Sequence, residues 1–255
     1  MIFIDDNAYK CIIFVTNYQS MNRAIISGDI IASTSLNNLD RERIGNLLKL
    51  LAKKLKKKFK VYSRITEGDD SIVCYVPNNS DALRVMLAIK CFVKSIIIND
   101  FDLNYRDSKR IKFFKIHGIR LALGIGELSR LDLENGVIDG EAIYNSGRLL
   151  SENKTYNKGK IIIKNTLFIK SNEQEFDDEM TPLLALLDVL ISNSTAKQCE
   201  VLYLKLLGYD ETVIARALKK TQPTINSHST GAGWNAIEKA VTRFEEKVRL
   251  KKSVS

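Results

Sequence analysis

Several kinds of residue are scarce in this chain of 255 residues, and their scarcity excludes whole classes of site. The two histidines, His117 and His228, are too few and too distant for a histidine-rich metal site. No nucleophile has a plausible histidine partner. The four cysteines form no CxxC pair, which argues against a zinc knuckle and against a dense disulfide framework. Those cysteines are Cys11, Cys74, Cys91 and Cys199.

Long hydrophobic runs are also missing. The apolar run at residues 11–15 is too short to span a bilayer, and Asp5 and Asp6 do not suit the positively charged start of a signal peptide. We therefore expect no membrane segment and no secretory leader. Together with the dispersed cysteines, this predicts a cytoplasmic protein in a reducing compartment.

The chain has enough apolar residues to fold and an excess of positive charge. Hydrophobic residues make up 45% of it, enough to bury a core in one large domain or two modest ones. Thirty-nine basic residues against thirty acidic ones give a net charge of +9. A basic chain suits an anionic partner but does not identify one.

Much of this excess lies in residues 41–60, where nine basic residues accompany a single acid, Glu42. Apolar residues recur there at helical spacing, so we predict an amphipathic helix over residues 39–60. Its apolar stripe is Ile44, Leu47, Leu48, Leu51 and Leu55. The lysine face has two interpretations, a solvated surface or a contact with phosphate or nucleic acid.

Two glycine-aspartate pairs interrupt runs with β-strand character. Residues 61–76 predict a hairpin, because Gly68 and Asp69 suit a tight turn. Residues 24–31 predict a strand that carries Asp29 where a buried strand would not normally have an acid. If the two lie together, both aspartates can bind one divalent ion, and oxygen ligands favour Mg²⁺, Mn²⁺ or Ca²⁺ over zinc. The alternative is that both pairs simply make good turns.

Helical and strand patterns alternate as far as residue 164. After the hairpin we predict a buried helix at 78–99, a polar loop at 101–112, a strand at 113–127, a helix at 142–152 and a short strand at 160–164. This order predicts an α+β fold, a ferredoxin-like sandwich with helices on a mainly antiparallel sheet in the split βαβ arrangement. Residues 1–23 form an N-terminal extension whose role stays open.

Four motifs in this order resemble those of the palm-type catalytic domain of class III nucleotidyl cyclases. They are Ser27-Gly28-Asp29-Ile30-Ile31, Gly68-Asp69, residues 118–127 and residues 140–149. The resemblance covers roughly residues 24–164. It is closer still to the SatD family, whose members couple such a domain to a helix-turn-helix.

The resemblance implies roles for five residues. In the cyclases the two matching acids bind two divalent ions and the nucleoside triphosphate, so Asp29 and Asp69 would be ligands of Mg²⁺ or Mn²⁺. Arg148 would be the catalytic, charge-neutralising arginine supplied to a neighbouring subunit, which implies a homodimer. Asp70 and Asn145 would contact the nucleotide.

Three positions depart from the cyclase pattern. Where cyclases place an asparagine that orients the nucleotide, this chain has Tyr144, and Asn145 lies about 100° further round the helix. Ile65 and Val137 stand where cyclases have the lysine and aspartate that select adenine. The comparison therefore favours metal and nucleotide binding over turnover.

The C-terminal part has helical periodicity only. It follows an acidic, polar stretch that we interpret as a linker at residues 171–181, and it makes up a predicted all-α domain at residues 182–255. We predict helices that begin after the capping residues Thr195, Asp210 and Thr221, the first of them ending at Gly208.

The last two of these helices resemble the helix-turn-helix of response regulators and sigma factors. Ala215 is small enough to let two helices cross closely, and Pro223 suits a first helical turn. The polar tips expected to reach base edges and phosphates of double-stranded DNA are Gln222, Thr224, Asn226, Ser227 and His228. The alternatives are an ordinary three-helix bundle or a helix-turn-helix reused for dimerisation.

Three functions remain open at this point. We favour a DNA-binding transcriptional regulator whose palm-like domain at residues 24–170 binds a nucleotide, either a triphosphate or a cyclic nucleotide, and a divalent metal. The second is a metal-dependent nucleotidyl cyclase or related nucleotide-polymerising enzyme, assembled through its helical C-terminal domain. The third is a scaffold in which both sites have decayed. Residues 181–255 carry eleven basic and seven acidic residues, a modest excess for DNA binding that a homodimer would double.

Overall fold

A computed structural model describes residues 22–66, 70–98, 105–154, 156–157, 160–161 and 163–252 of the chain. Nearly all of the predicted N-terminal extension lies outside these residues. The predicted metal ligand Asp69 and its neighbour Gly68 also lie outside them. Among the described helices, none is both long and apolar enough to cross a membrane.

The strands and helices alternate at first and give way to helices alone. The strands are β1 (Arg23–Ile30), β2 (Tyr62–Thr66), β3 (Ser71–Val76), β4 (Ile119–Gly126), β5 (Leu128–Asp132), β6 (Val137–Gly140), β7 (Tyr156–Asn157), β8 (Lys160–Ile161) and β9 (Leu167–Lys170). The helices are α1 (Asn38–Phe59), α2 (Ala82–Lys94), α3 (Tyr105–His117), α4 (Glu141–Glu152), α5 (Gln174–Asn193), α6 (Ala196–Leu206), α7 (Glu211–Leu218), α8 (Gln222–Gly231) and α9 (Trp234–Lys252).

Five strands form the main sheet, in the order β2-β3-β1-β4-β9. Neighbours run antiparallel except β4 and β9, which are parallel. Because β1 lies between β3 and β4, the connections on either side are split βαβ units of the ferredoxin-like kind. The predicted α+β sandwich, followed by helices, is confirmed.

The two faces of the sheet bury different side chains. Ala24 and Ile26 of β1 belong to the main core, together with the apolar stripe of α1 and the buried residues of α2. Ile25 points the other way and packs with Tyr75 and Ala142 beneath α4. The stripe predicted for α1 is confirmed at its fully buried positions, Ile44, Leu48, Leu51 and Leu55.

Helix α4 crosses β4 at very short range. A Cβ atom on Gly124 would lie 2.0 Å from the carbonyl oxygen of Ala142, so only glycine permits this approach. A hydrogen bond of 2.8 Å between the hydroxyls of Ser27 and Ser146 also ties α4 to β1. The position of α4 relative to β1 is therefore fixed by backbone packing and by a buried polar contact.

Two stretches before and after β4 differ from the prediction. We predicted a loop and then a strand from residue 113, but α3 continues to His117, because Ile111 and Phe114 are buried at helical spacing. Gly118, with φ of +66°, then ends the helix. The predicted strand at residues 160–164 is only the two-residue strand β8, and the strand that joins the main sheet is β9.

The C-terminal helices share the core of the sheet. The stretch predicted as a linker is helical from Gln174 onward, because Phe176 and Met180 are buried in that core. Helix α6 packs along α2, and α9 adds Phe244 to the same cluster. The helices α7 and α8 instead rest on a small cluster of their own, made of Val201, Ile214, Ala215 and Ile225.

Candidate functional site

The first glycine-aspartate motif, Gly28 and Asp29, lies near the end of β1 in the main sheet. Asp29 is opposite Ser71 of β3 on one side and opposite Arg120 of β4 on the other. The backbone N–H of Ile30 donates to the carbonyl oxygen of Asp70 at 3.1 Å. Asp70, the residue directly before β3, therefore lies beside the end of β1. The approach of Asp69 to Asp29 itself remains a prediction.

The carboxylate of Asp29 is held by Arg120. Nε of Arg120 donates to Oδ1 at 2.9 Å and Nη2 donates to Oδ2 at 2.5 Å, so the pair is bidentate. Nη1 donates to the carbonyl oxygens of Leu150 at 3.3 Å and of Asn153, at the C-terminal end of α4. Arg120 is buried, whereas 37% of the Asp29 side chain is exposed. The guanidinium thus joins β1, β4 and α4.

This pairing bears directly on the predicted metal site. Both oxygens of Asp29 accept hydrogen bonds from a cation, so a divalent ion would have to compete with Arg120 for them. Across the described ranges, no group of three or more histidine, cysteine, aspartate or glutamate side chains could hold a metal ion. The described residues alone therefore do not fit Mg²⁺ or Mn²⁺.

Sequence reasoning missed Arg120, although a signal was present. Asp29 and Arg120 each interrupt an apolar strand, and the two charges are opposite in sign. Buried charges need partners, and oppositely charged residues on neighbouring strands pair across the sheet. The signal was incomplete because the register that places the two residues opposite each other is not readable from sequence.

The predicted residues of α4 lie near this end of the sheet but not in the ion pair. Asn145 is half-buried, and Arg148 is exposed without an ion pair among the described residues. Tyr144 donates a hydrogen bond of 2.6 Å to Asp139, which holds the pKa of that carboxyl below its usual range. Arg148 thus presents an unpaired cation two residues before the carbonyl of Leu150 that accepts from Arg120.

A buried polar network ties the sheet to α5 and opens to no surface. The ammonium of Lys90 donates to the carbonyl oxygen of Ile119 at 2.9 Å and to Thr166 Oγ1, and lies 3.4 Å from Asp188 Oδ1. Burial lowers the pKa of Lys90 to about 8. Thr166 Oγ1 in turn donates to Asp188 at 2.6 Å. Lys90 and Asp188 therefore form a buried ion pair whose role is structural.

His117 belongs to the same internal region. Its Nδ1 lies 3.2 Å from the hydroxyl of Ser192, and Lys94 donates to the carbonyl oxygen of Ser192 at 3.0 Å. Burial lowers the pKa of His117 to about 4. This histidine at the end of α3 is a packed structural residue.

Helices α7 and α8 form a compact pair joined by a three-residue turn. Lys219 ends α7 in the left-handed conformation, with φ of 52°. The hydroxyl of Thr221 then caps α8 by accepting from the backbone N–H of Thr224. Ile214 and Ala215 of α7 pack against Ile225 of α8.

The five polar residues predicted to contact DNA all lie on α8. Gln222, Asn226 and Ser227 are exposed, and Thr224 and His228 are half-buried. The side-chain amides of Gln222 and Asn226 each lie 3.4 Å from Oε2 of Glu211. The contact of these five residues with DNA remains a prediction.

Glu211 links α7 to its surroundings. Its Oε1 accepts from the ammonium of Lys205 at 2.8 Å and from the hydroxyl of Ser229 at 3.1 Å. The hydrogen bond from Lys205 lowers the pKa of Glu211. This carboxylate was not singled out from the sequence, and it positions the two amides of α8.

Three cations surround the turn between α7 and α8. Arg216, Lys219 and Lys220 are exposed. Within residues 163–252 and the other described ranges, none of the three makes an ion pair. They are therefore available to an anionic ligand without loss of an internal contact.

Comparisons with known proteins give little beyond the fold. No family model and no curated protein matches the chain. One solved structure, a bacterial light-regulated adenylyl cyclase, matches 58% of this chain and 42% of its own, with 12% identity and a TM-score of 0.37. A second structure described in the same words matches 58% of this chain and 75% of its own, with 14% identity and a TM-score of 0.38. The chain thus spans less than half the length of the first neighbour, and similarity at this level establishes no activity.

Proposed function

We propose that this protein is a DNA-binding transcriptional regulator whose α+β domain binds a nucleotide. The observation that carries the first part is the α7–turn–α8 unit, two short helices on a cluster of their own with exposed cations in the turn. In helix-turn-helix proteins the second helix enters the major groove while the first crosses the backbone. We assign these roles to α8 and α7.

The side chains of α8 suit base reading. Gln222 and Asn226 carry amides, which donate to and accept from adenine in the major groove. Glu211 fixes both amides, so it acts as a positioning residue. The turn cations would contact phosphates on either side, which supplies most of the affinity. A homodimer would double these contacts and read a two-fold symmetric site.

Selection from a random-sequence duplex library with the full chain tests this proposal. We expect one sequence to be enriched, and Asn226→Ala with His228→Ala to weaken binding to it at least about tenfold, because a good base contact contributes about 1–3 kcal/mol. Asn235→Ala, an exposed change on α9, is the matched control. Failure to enrich any sequence, with unaltered folding, contradicts the proposal.

The nucleotide part of the proposal rests on the end of the sheet. Asp70, directly before β3, lies beside β1, and Arg148 is an exposed cation that makes no ion pair with another described residue and could meet a phosphate. Asp70 and Asn145 are the proposed nucleotide contacts. Because Arg120 occupies Asp29, we give a divalent ion no step in the mechanism.

Calorimetric titration with each nucleoside triphosphate and with cyclic nucleotides tests this part, in chelator, Mg²⁺ and Mn²⁺ in turn. We expect Arg148→Ala to weaken binding, and the exposed Arg130→Ala to leave it unchanged. Any dependence on metal should disappear in Asp69→Ala. An absence of binding under all of these conditions removes the nucleotide from the proposal.

A second candidate function is a metal-dependent nucleotidyl cyclase or related nucleotide-polymerising enzyme. It is favoured by the 3.1 Å hydrogen bond from the backbone N–H of Ile30 to the carbonyl oxygen of Asp70, because these residues follow Asp29 and Asp69 directly in the sequence. Incubation with all four triphosphates and either Mg²⁺ or Mn²⁺ would then yield a product detectable by mass spectrometry. Asp69→Ala should abolish it, whereas the exposed hairpin change Asn135→Ala should not. A purified protein inert in every combination counts against this candidate.

A further inference from the structure

The outward side of α1 carries a row of lysines without internal partners. The helix buries Ile44, Leu48, Leu51 and Leu55, and Leu47 and Phe59 also pack against the core, so the lysines occupy its remaining positions. Lys53 and Lys57 lie four residues apart, which places them on one side of the helix, and Lys60 follows directly after its C-terminal end. All three are exposed, and their side chains make no hydrogen bond or ion pair within the described ranges.

Helix stability alone does not explain this row. Cations near the C-terminal end of a helix are favourable because of its dipole, which accounts for the lysines of the last turn. Lys53 lies before that turn. Like charges four residues apart, as at Lys53 and Lys57, destabilise a helix. An anionic partner would relieve this repulsion.

A neighbouring row joins α1 to the C-terminal helices. The ammonium of Lys54 lies 5.7 Å from the ring centroid of Tyr203, and that of Lys58 lies 5.3 Å from the ring centroid of Tyr209. Lys58 also lies against Gly208, in the connection between α6 and α7. The row of Lys54 and Lys58 therefore lies beside the connection that leads into α7.

The connection that Lys58 contacts and the turn that contains Lys219 lie at opposite ends of α7. Helix α7 has eight residues, so it spans about 12 Å between the connection that Lys58 contacts and the turn that contains Lys219. Duplex DNA carries one charge per about 1.7 Å of axis, so about seven phosphate charges fall within this length. Both regions can thus meet phosphates of the same molecule.

We propose that the lysine side of α1 is a second phosphate-contact surface for the duplex DNA bound by α7 and α8. The inference rests on the proposed DNA-binding function and extends the interface to the α+β domain. Lysine tips carry charge without a pattern for base edges, so this surface adds affinity rather than sequence preference. A membrane is the weaker partner, because a surface-bound helix inserts its apolar face, and that face of α1 is buried in the core.

The test compares two triple variants of the full chain on one short duplex by fluorescence anisotropy. The test variant is Lys53→Gln, Lys57→Gln and Lys60→Gln, and the control, with the same charge change on other exposed lysines, is Lys112→Gln, Lys154→Gln and Lys164→Gln. We expect the slope of log K against log salt to become shallower by up to about 3 in the test variant, about one per phosphate contact. We expect Kd to rise about tenfold or more at moderate salt, and little change in the control.

Two further measurements make the result decisive. The variant Lys53→Arg, Lys57→Arg and Lys60→Arg keeps the charge and should bind as the wild type does. In the wild type, bound duplex should protect Lys53 and Lys57 from chemical acetylation, a result that needs no variant. Thermal unfolding followed by circular dichroism shows that each variant is folded.

The outcomes separate this inference from the function on which it rests. Equal Kd values and salt slopes in the two triple variants would identify a merely solvated lysine face and overturn the inference. If Asn226→Ala with His228→Ala weakens binding while the α1 variant does not, the inference alone fails. If the wild type binds no duplex, both fail. Binding to anionic vesicles but not to duplex, lost in the α1 variant, would replace DNA with a membrane.

Discussion

The end of β1 and the turn between α7 and α8 both collect charged side chains, but they arrange them in opposite ways. At β1 the carboxylate of Asp29 forms an ion pair with Arg120, whose Nη1 also donates to a carbonyl oxygen at the end of α4. Arg216, in the last turn of α7, and Lys220, in the connection to α8, are exposed and have no ionic partner in the described chain. The difference shows that a charge within an apolar pattern indicates an internal pair as readily as a ligand site.

Among the variants that test this comparison, we expect the largest loss of stability when the buried charge of Lys90 is removed. We expect Lys90→Met to lower the free energy of unfolding by about 3–5 kcal/mol, because it leaves the buried carboxylate of Asp188 without its cation. Urea unfolding at neutral pH measures this loss. The exposed change Lys219→Met should alter the free energy of unfolding by no more than about 0.5 kcal/mol. Equal losses in the two variants would break the distinction between internal and available charge.

A smaller loss is expected at the end of β1. Arg120→Met removes the donors to Asp29 and to the carbonyl oxygens of Leu150 and Asn153. Water can reach part of Asp29, so we expect a loss of about 2–3 kcal/mol rather than the full effect of a buried pair. Arg130→Met, at an exposed position of β5, is the matched control. An Arg120 variant as stable as this control would show that the pair is not structural.

The sequence predicted the elements whose signals are local. The first residues of α7 and α8 follow from the N-terminal caps Asp210 and Thr221. Each cap's side chain accepts a hydrogen bond from the backbone N–H three residues later. The packing of Ile214 and Ala215 on Ile225 follows from helical spacing alone. The hairpin of β2 and β3 likewise needed only two β-prone runs and a turn between them.

What the sequence did not reveal depends on distant contacts. For α3 the sequence predicts a loop as far as residue 112 and a strand from residue 113, because its polar residues outnumber the two buried ones, Ile111 and Phe114, that face the core. Strand β9 has four residues and pairs in parallel with β4, more than forty residues earlier. The pairing of Asp29 with Arg120 depends on sheet register, so the sequence does not reveal it, and the metal role of Asp29 stays a prediction.

The pH dependence of stability gives a finer test of the internal region. Burial keeps His117 neutral in the folded protein down to a pKa of about 4, whereas the unfolded chain takes up the proton near 6.5. The unfolded state therefore binds more protons between pH 6.5 and 4, and stability falls as the pH is lowered through that window. After allowance for partial exposure, we expect His117→Gln to remove about 1 kcal/mol of this fall. Urea unfolding of both proteins at pH 7 and pH 5 measures the difference, and identical pH dependence would contradict it.

The smallest change in stability is expected at the turn cations. Arg216→Gln with Lys220→Gln removes two charges that have no internal partner in the described chain, so the free energy of unfolding should change by no more than about 0.5 kcal/mol. Binding to the selected duplex should nevertheless weaken, with a salt slope shallower by about 2. The exposed pair Lys112→Gln with Lys154→Gln controls for the loss of net charge. A variant that loses stability but keeps the salt slope would show that these cations stabilise the fold, as Lys90 and Arg120 do. It would also remove the phosphate contacts proposed for the turn cations.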